Sequence, residues 1–165
     1  MAITSDDLLA RLQSLGIAAK TSTHPPLRTV EDSKRLRGEL PGGHVKNLFL
    51  RDKRGRHWLL TALEDATIDL KRMAQRLEAA KFSFANAETL KTLLGIEPGA
   101  VSPLAVVNDI EGKVTVVLDQ DMLGHDPLNV HPLVNDRTTT MATADLLRFL
   151  ESTGHKPMVM RFAEG

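Results

Sequence analysis

Residues 43 to 62 hold an adjacent lysine and asparagine, Lys46 and Asn47, where an apolar run begins that reads as the first strand of a hairpin. A cation at a strand end is poised to meet an anionic ligand, and the structural alternative is a strand-end lysine facing water. The hairpin turn, Asp52-Lys53-Arg54-Gly55, is bracketed by Arg51 and Arg56, so four cations stand against Asp52 alone. Lys71, Arg72, Arg76 and Lys81 form a second basic group, which reads equally as a solvated face or as a contact for phosphate. Two further segments carry polar or glycine-rich character beside apolar runs: Gly99-Ala100-Val101-Ser102-Pro103 and Asn129-Val130-His131-Pro132.

Other chemistries lack their residue patterns. The six histidines, His24, His44, His57, His125, His131 and His155, are scattered, with no His-Glu-x-x-His pair, so metal catalysis is not expected. Gly38 to Lys46 has glycines and a lysine but not the Gly-Lys-Ser/Thr ending of a phosphate loop, and it leads into a strand. Ser102 lies in Gly-x-x-Ser-Pro rather than Gly-x-Ser-x-Gly, and Pro103 supplies no N–H to an oxyanion hole. With no cysteine, thiol nucleophiles, disulfides and thiolate metal sites are excluded.

The elements that must position these residues follow from periodicity. Thr4-Ser5-Asp6-Asp7 before Leu8, Leu9, Leu12 and Leu15 predicts a capped amphipathic helix ending at Gly16. Ile17 to Ser22 is expected to be a short strand, His24-Pro25-Pro26 an extended link, and the segment from Thr29 a helix broken by Pro41-Gly42-Gly43. Phe49 and Trp58 are expected in the core of the hairpin. Asp69 to Ala80 is expected as a helix, Phe82 to Phe84 as a brief strand, and Asn86 or Ala87 to Leu94 as a helix stopped by Gly95. Leu104 to Asn108 and Lys113 to Leu118 read as strands, the stretch after Asp119-Gln120-Asp121, with Pro127 and His131-Pro132, as irregular, Thr143 to Ser152 as a helix and Met158 to Phe162 as a strand. The chain therefore reads as one α/β domain over residues 1–165, a mixed β-sheet with surrounding helices.

With 21 basic and 21 acidic residues the formal charge is zero, so any RNA contact must be local. No apolar run approaches the roughly 20 residues of a membrane-spanning helix, and Asp6 and Asp7 argue against a secretion signal; the cytoplasm is the expected compartment.

Five segments in register carry a resemblance. His24-Pro25-Pro26, Thr29-Val30-Glu31-Asp32, Lys46 to Asp52, Leu94 to Pro103 and His131-Pro132-Leu133 resemble the YbaK/ProX family of freestanding aminoacyl-tRNA deacylases, related to the editing domain inserted in bacterial prolyl-tRNA synthetases. The likeness runs from about Ser22 to the C-terminus, and within the family it is most similar to the branch that removes alanine from proline tRNA. What the resemblance implies is a YbaK-like fold and hydrolysis of an aminoacyl ester without metal or organic cofactor. It makes Lys46 the principal functional residue and Asn47 its neighbour in substrate contact. Gly99, Ala100, Val101, Ser102 and Pro103 become the loop along the ester, with backbone N–H groups as donors to a developing oxyanion. His131 becomes a pocket residue, and Leu27, Thr29 and Val30 are expected to form the wall that admits alanine and excludes proline. Arg51, Lys53, Arg54, Arg56 and Arg76 are expected to meet tRNA. The implied partners are mischarged proline tRNA and, by association, prolyl-tRNA synthetase; the same fold serving cysteine or serine on tRNA, or a noncatalytic nucleic-acid module, are the rival expectations.

Overall fold

The structure, a computed structural model, describes residues 2–26, 31, 32, 35, 38 and 40–163. In chain order the elements are α1 (Ser5–Ser14), β1 (Lys20–Thr23), β2 (Gly43–Asp52), β3 (His57–Leu63), α2 (Leu70–Arg76), β4 (Phe82–Phe84), α3 (Ala87–Leu94), the 3-10 segments Pro98–Ala100 and Pro103–Asn108, β5 (Val114–Asp119), the 3-10 turn Met122–Gly124, β6 (Leu128–Val130), β7 (Arg137–Met141), α4 (Thr143–Ser152) and β8 (Met158–Met160). The strands run β1-β7-β6-β2-β3-β5-β8 across one mixed sheet, with β4 added to β2. The parallel pairs β3–β5 and β5–β8 lie at one side; β2 meets β3 antiparallel and β6 in parallel.

Local chemistry accounts for the elements. Thr4 caps α1 by accepting from Asp7 N while Asp7 Oδ2 accepts from Thr4 N, a reciprocal box that stabilises a helix start by about 1 kcal/mol. Leu8 and Leu12, fully buried, fix that helix to the sheet. Asn86 caps α3 through Thr89 N, and Gly95, left-handed at φ 66°, ends it as expected.

The core divides between the two faces of the sheet. One face is covered by α1, α3, α4 and the segment Leu104–Val107, packed on Phe49, Leu59, Val116 and Leu118. The other gathers Leu50, Trp58, Leu60, Val117 and Phe162 under Met73, Ala74 and Leu77 of α2 and its end. Side chains alternate along β2, so Val45 and Phe49 join the first cluster and Leu48 and Leu50 the second.

Several expectations shift. Leu104–Asn108 is 3-10 helix, not strand: Ser102 Oγ accepts from Leu104 N, Pro103 opens the turn, and burial on all sides erases the periodicity that separates a helix from a strand. The first strand begins at Lys20 rather than Ile17, because the turn after α1 binds Ile17 N to Leu12 O. Helix α2 stops at Arg76 rather than Ala80, where Glu78 takes φ 54° and Ala79 N turns back to Ala74 O. The stretch expected to be irregular contains β6, and it leads into β7, whose buried Thr138 and Thr139 disguise a central strand as a polar segment. The last strand ends at Met160. Of the helix expected from Thr29, Glu31, Asp32, Arg35 and Gly38 are helical, and Thr29 lies outside the described residues.

Candidate active site

The sheet has a gap at its centre. On the edge away from β3, β2 pairs with β6 at Gly43 and His44 and with β4 from Leu50 to Asp52. Between them, among the described residues, no strand pairs with residues 45–48, and this is the segment that carries Lys46 and Asn47. Two adjacent strand residues project to opposite faces. Asn47 turns to the first face, where its Nδ2 donates to Val101 O at 3.0 Å and its Oδ1 accepts from Thr61 Oγ1 at 2.7 Å. Lys46 turns to the second, and its ammonium donates to Ala66 O. Lysine and loop thus meet across the edge of one strand instead of on a shared surface, with Asn47 as the tie between them.

The loop is built around a 3-10 turn. Ala100, buried, donates its N–H to Glu97 O, so the expectation that this N–H faces a ligand does not hold. The remaining N–H groups of the segment, on Gly99, Val101 and Ser102, are the ones left to consider as donors. Ser102 is fully buried with its hydroxyl engaged at Leu104 N, which is a structural duty and not a nucleophile's position. Pro103 is buried at the head of the following turn. Gly99 lies against Asn135: a Cβ there would stand 2.9 Å from Asn135 Nδ2, which brings the loop against the segment joining β6 to β7.

That neighbouring segment carries His131. Its Nδ1 lies 3.0 Å from Arg137 O, an oxygen that can only accept, so Nδ1 carries the proton and Nε2 has a free lone pair when the ring is neutral. Burial disfavours the imidazolium and lowers the His131 pKa below the usual histidine value; the Arg137 carbonyl opposes this and nearby His24 adds to it. His24 is itself held between Pro25 O and Thr138 Oγ1, each 2.8 Å away. Asn129, buried, donates to Pro41 O and Gly43 O and accepts from Thr140 Oγ1, so it positions the chain entering β2. Gly42 is required there: at φ 93° it packs so closely on Pro127 that a Cβ would fall 2.1 Å from Pro127 O. Leu27, Thr29 and Val30, expected as pocket wall, lie outside the described residues.

On the second face, next to Ala66, lies a cleft of about 800 Å³ lined by Gly43, His44, Leu63, Asp119, His125 and Phe162 among others. Sequence reasoning passed over this cleft; the Glu64-Asp65-Ala66 turn that borders it follows β3 without a motif of its own. Among the described residues no three His, Asp or Glu side chains cluster as metal ligands.

The cations expected to meet tRNA divide. Lys53 and Arg54 are exposed in the turn and Arg51 is exposed on β2. Arg56 is instead engaged: its Nε donates to Asp52 Oδ2 at 2.9 Å and its guanidinium lies 5.2 Å from the Trp58 ring centroid. Arg76 donates to Phe162 O at 3.4 Å and packs on Met73, so it links α2 to the chain after β8.

Residues 24–149 match the model of the aminoacyl-tRNA editing domain. The chain belongs to that family. The editing family acts by hydrolysing the aminoacyl ester, which makes this chain an aminoacyl-tRNA deacylase of the YbaK/ProX group. The prolyl-tRNA editing protein ProX of Acetoanaerobium sticklandii is 36% identical over 149 residues, covering 90% of this chain and 91% of that one. Prolyl-tRNA synthetase associated domain-containing protein 1 of Danio rerio is 37% identical over 153 residues, covering 92% and 83%. A crystal structure of a candidate trans-editing enzyme for prolyl tRNA synthetase matches this chain at TM-score 0.75 and 21% identity, covering 100% of each chain, a likeness of fold. Among the described residues of this editing domain, no helix is long and apolar enough to cross a membrane.

Proposed function

We propose that the protein removes alanine mischarged onto proline tRNA, in the cytoplasm and in trans to prolyl-tRNA synthetase. A synthetase pocket built for proline cannot strongly reject a smaller apolar amino acid, because each missing methylene changes binding by only about 1–3 kcal/mol. A second site must clear the error. The observation that carries the reading is the Asn47–Val101 hydrogen bond, which joins two motifs 54 residues apart at the gap in the sheet.

The substrate is an activated ester, and positioning with electrostatic stabilisation suffices to hydrolyse it. In this reading the Lys46 ammonium leaves Ala66 O to bind the phosphate or ribose of the terminal nucleotide, while the loop from Gly99 to Pro103 lies along the ester. Backbone N–H groups of Gly99, Val101 and Ser102 receive the oxyanion as water attacks the carbonyl carbon. The neighbouring 2′-hydroxyl of the tRNA assists the attacking water, and the 3′-oxygen leaves with a proton. His131, kept neutral by burial, presents an acceptor for an N–H or O–H of the substrate. Residues Leu27, Thr29 and Val30 set the size limit that spares prolyl-tRNA. Arg51, Lys53 and Arg54 approach the acceptor stem: six residues of strand put the turn about 20 Å from Lys46, roughly six nucleotides at a 3.4 Å rise.

The test is to incubate the protein with alanyl-, cysteinyl-, seryl- and prolyl-tRNA for proline and follow loss of each ester. Selective loss of alanine is expected. Faster loss of cysteine or serine would reassign the substrate, and loss of proline would remove the sieve from the argument.

A further inference from the structure

The chain holds five phenylalanines, one tryptophan and no tyrosine. Five of these six rings serve the core: Phe49, Phe82, Phe149, Phe162 and Trp58 are all buried. Phe84 is 64% exposed and belongs to neither core cluster.

Its position is defined by the sheet. In the β2–β4 ladder Phe84 stands opposite Leu50 and Ser83 opposite Arg51. Directly opposed residues share a face, so Phe84 stands on the face of Leu50, Leu48 and Lys46. The β4 pairing ends at Phe84, where the gap that holds Lys46 begins, and Ala85 N donates to Phe49 O to fix the backbone at that lip. Four residue steps along β2 carry the chain from Lys46 to Leu50, about 13 Å. Exposed Lys81 precedes the strand, exposed Arg51 opposite Ser83 projects from the other face of the same edge, and residues 81 to 86 include no acidic side chain. An exposed ring on a fixed strand, on the same face as Lys46 and in a segment, residues 81 to 86, that has a lysine and no acidic residue, has the composition of a single-stranded nucleic-acid contact, in which bases stack and phosphates pair with cations.

We propose that Phe84 is a stacking platform for a base of the single-stranded 3′ end of the tRNA, the strand whose terminal ester lies at Lys46. The proposal rests on the tRNA deacylase reading above and adds to it the path of the substrate strand. A span of 13 Å is about four nucleotides at the stacked rise of 3.4 Å, so the ring meets the unpaired end and not the stem. Every base has a π-face, so Phe84 supplies affinity and register without choosing among sequences.

The test combines Phe84→Ala, Phe84→Leu and Phe84→Trp with two tRNAs, one intact and one trimmed of its single-stranded 3′ nucleotides. Phe84→Ala should raise KM for mischarged tRNA, and Kd for the intact uncharged tRNA, by about 5- to 150-fold, with the loss appearing in KM rather than in kcat. Phe84→Leu, apolar but without a π-face, should behave like Phe84→Ala. Phe84→Trp should retain binding, and the fluorescence of its new indole should be quenched by intact tRNA only. On trimmed tRNA the four proteins should bind alike. Wild-type KM and Kd in Phe84→Ala would overturn the proposal while leaving the deacylase reading intact, and so would an effect that persists on trimmed tRNA. Loss of a dimer in sedimentation at unchanged KM would also overturn it, assigning the ring to a second copy of the chain. Phe84-dependent tRNA binding by a wild-type protein that hydrolyses no ester would support the platform and sink the deacylase reading.

Discussion

The two ends of the β2–β3 hairpin both carry cations and use them in opposite ways. At the turn, buried Asp52 accepts from Arg54 N, Arg56 N, Arg56 Nε and Trp58 Nε1, so its charge is fully satisfied inside the protein. Burial works to raise the Asp52 pKa, but those hydrogen bonds outweigh it and hold the carboxyl below its ordinary value. At the other end Lys46 has one backbone carbonyl as its partner and a strand edge without a neighbouring strand among the described residues. A density of cations therefore marks an internally satisfied charge cluster at one end, and a deficit of strand pairing marks the proposed site at the other.

Lys46→Ala should break the working end alone: deacylation falls by about 10²–10³-fold, the scale of losing one preorganised electrostatic contact, while Tm stays near wild type. Asp52→Ala should do the reverse, costing about 3 kcal/mol of stability by stranding buried donors such as Trp58 Nε1, with activity per folded molecule retained; urea melts and initial rates on one preparation separate the two. Asn47→Ala, which frees the loop at Val101, should lower kcat by up to about 10²-fold, the cost of misplacing reacting groups by an ångström. Equal loss of activity from Asp52→Ala and Lys46→Ala at matched folded fraction would dissolve the contrast.

Smaller effects sharpen it. His57, at the turn, and His131, near the gap, both have pKa values lowered below 6.5, burial being the first cause in each. The unfolded chain therefore binds protons first as pH falls: their contribution is complete above about pH 6.5 and is lost below it. Tm measured from pH 7.5 to 5 should decline, and His131→Gln or His57→Gln should each flatten the decline. Lys53→Ala with Arg54→Ala should change stability by no more than about 0.5 kcal/mol, and weaken tRNA binding chiefly at low salt.

What was legible in the sequence was whatever a local rule governs. Thr4 with Asp7, Asn86 and Gly95 announce helix ends through side chains or a left-handed turn within a few residues. The Asp52–Gly55 turn is visible for the same reason. Residues 104 to 108 were misread because an apolar run buried on all sides has no period, and the Ser102 cap that decides it acts across Pro103. β7 was missed because Thr138 and Thr139 are polar by type yet buried in a strand between β1 and β6, and their β1 partners, Ser22 and Thr21, lie more than a hundred positions away. At the site, Lys46, Asn47, His131 and the loop could be named, but their placement could not. Strand alternation puts Lys46 and Asn47 on opposite faces, while only the missing neighbour of residues 45–48 lets both faces meet at one edge.

That missing neighbour has a cost outside catalysis. An unpaired strand edge is a template on which another chain can add, and proteins commonly guard such edges with a lysine, whose charge would be buried by the newcomer. Lys46 stands where such a guard is needed, so a protein that lost it should lose a barrier to self-pairing along with the contact proposed for catalysis. The residue proposed to meet a nucleic acid at the gap is also the one placed to oppose amyloid-like growth there.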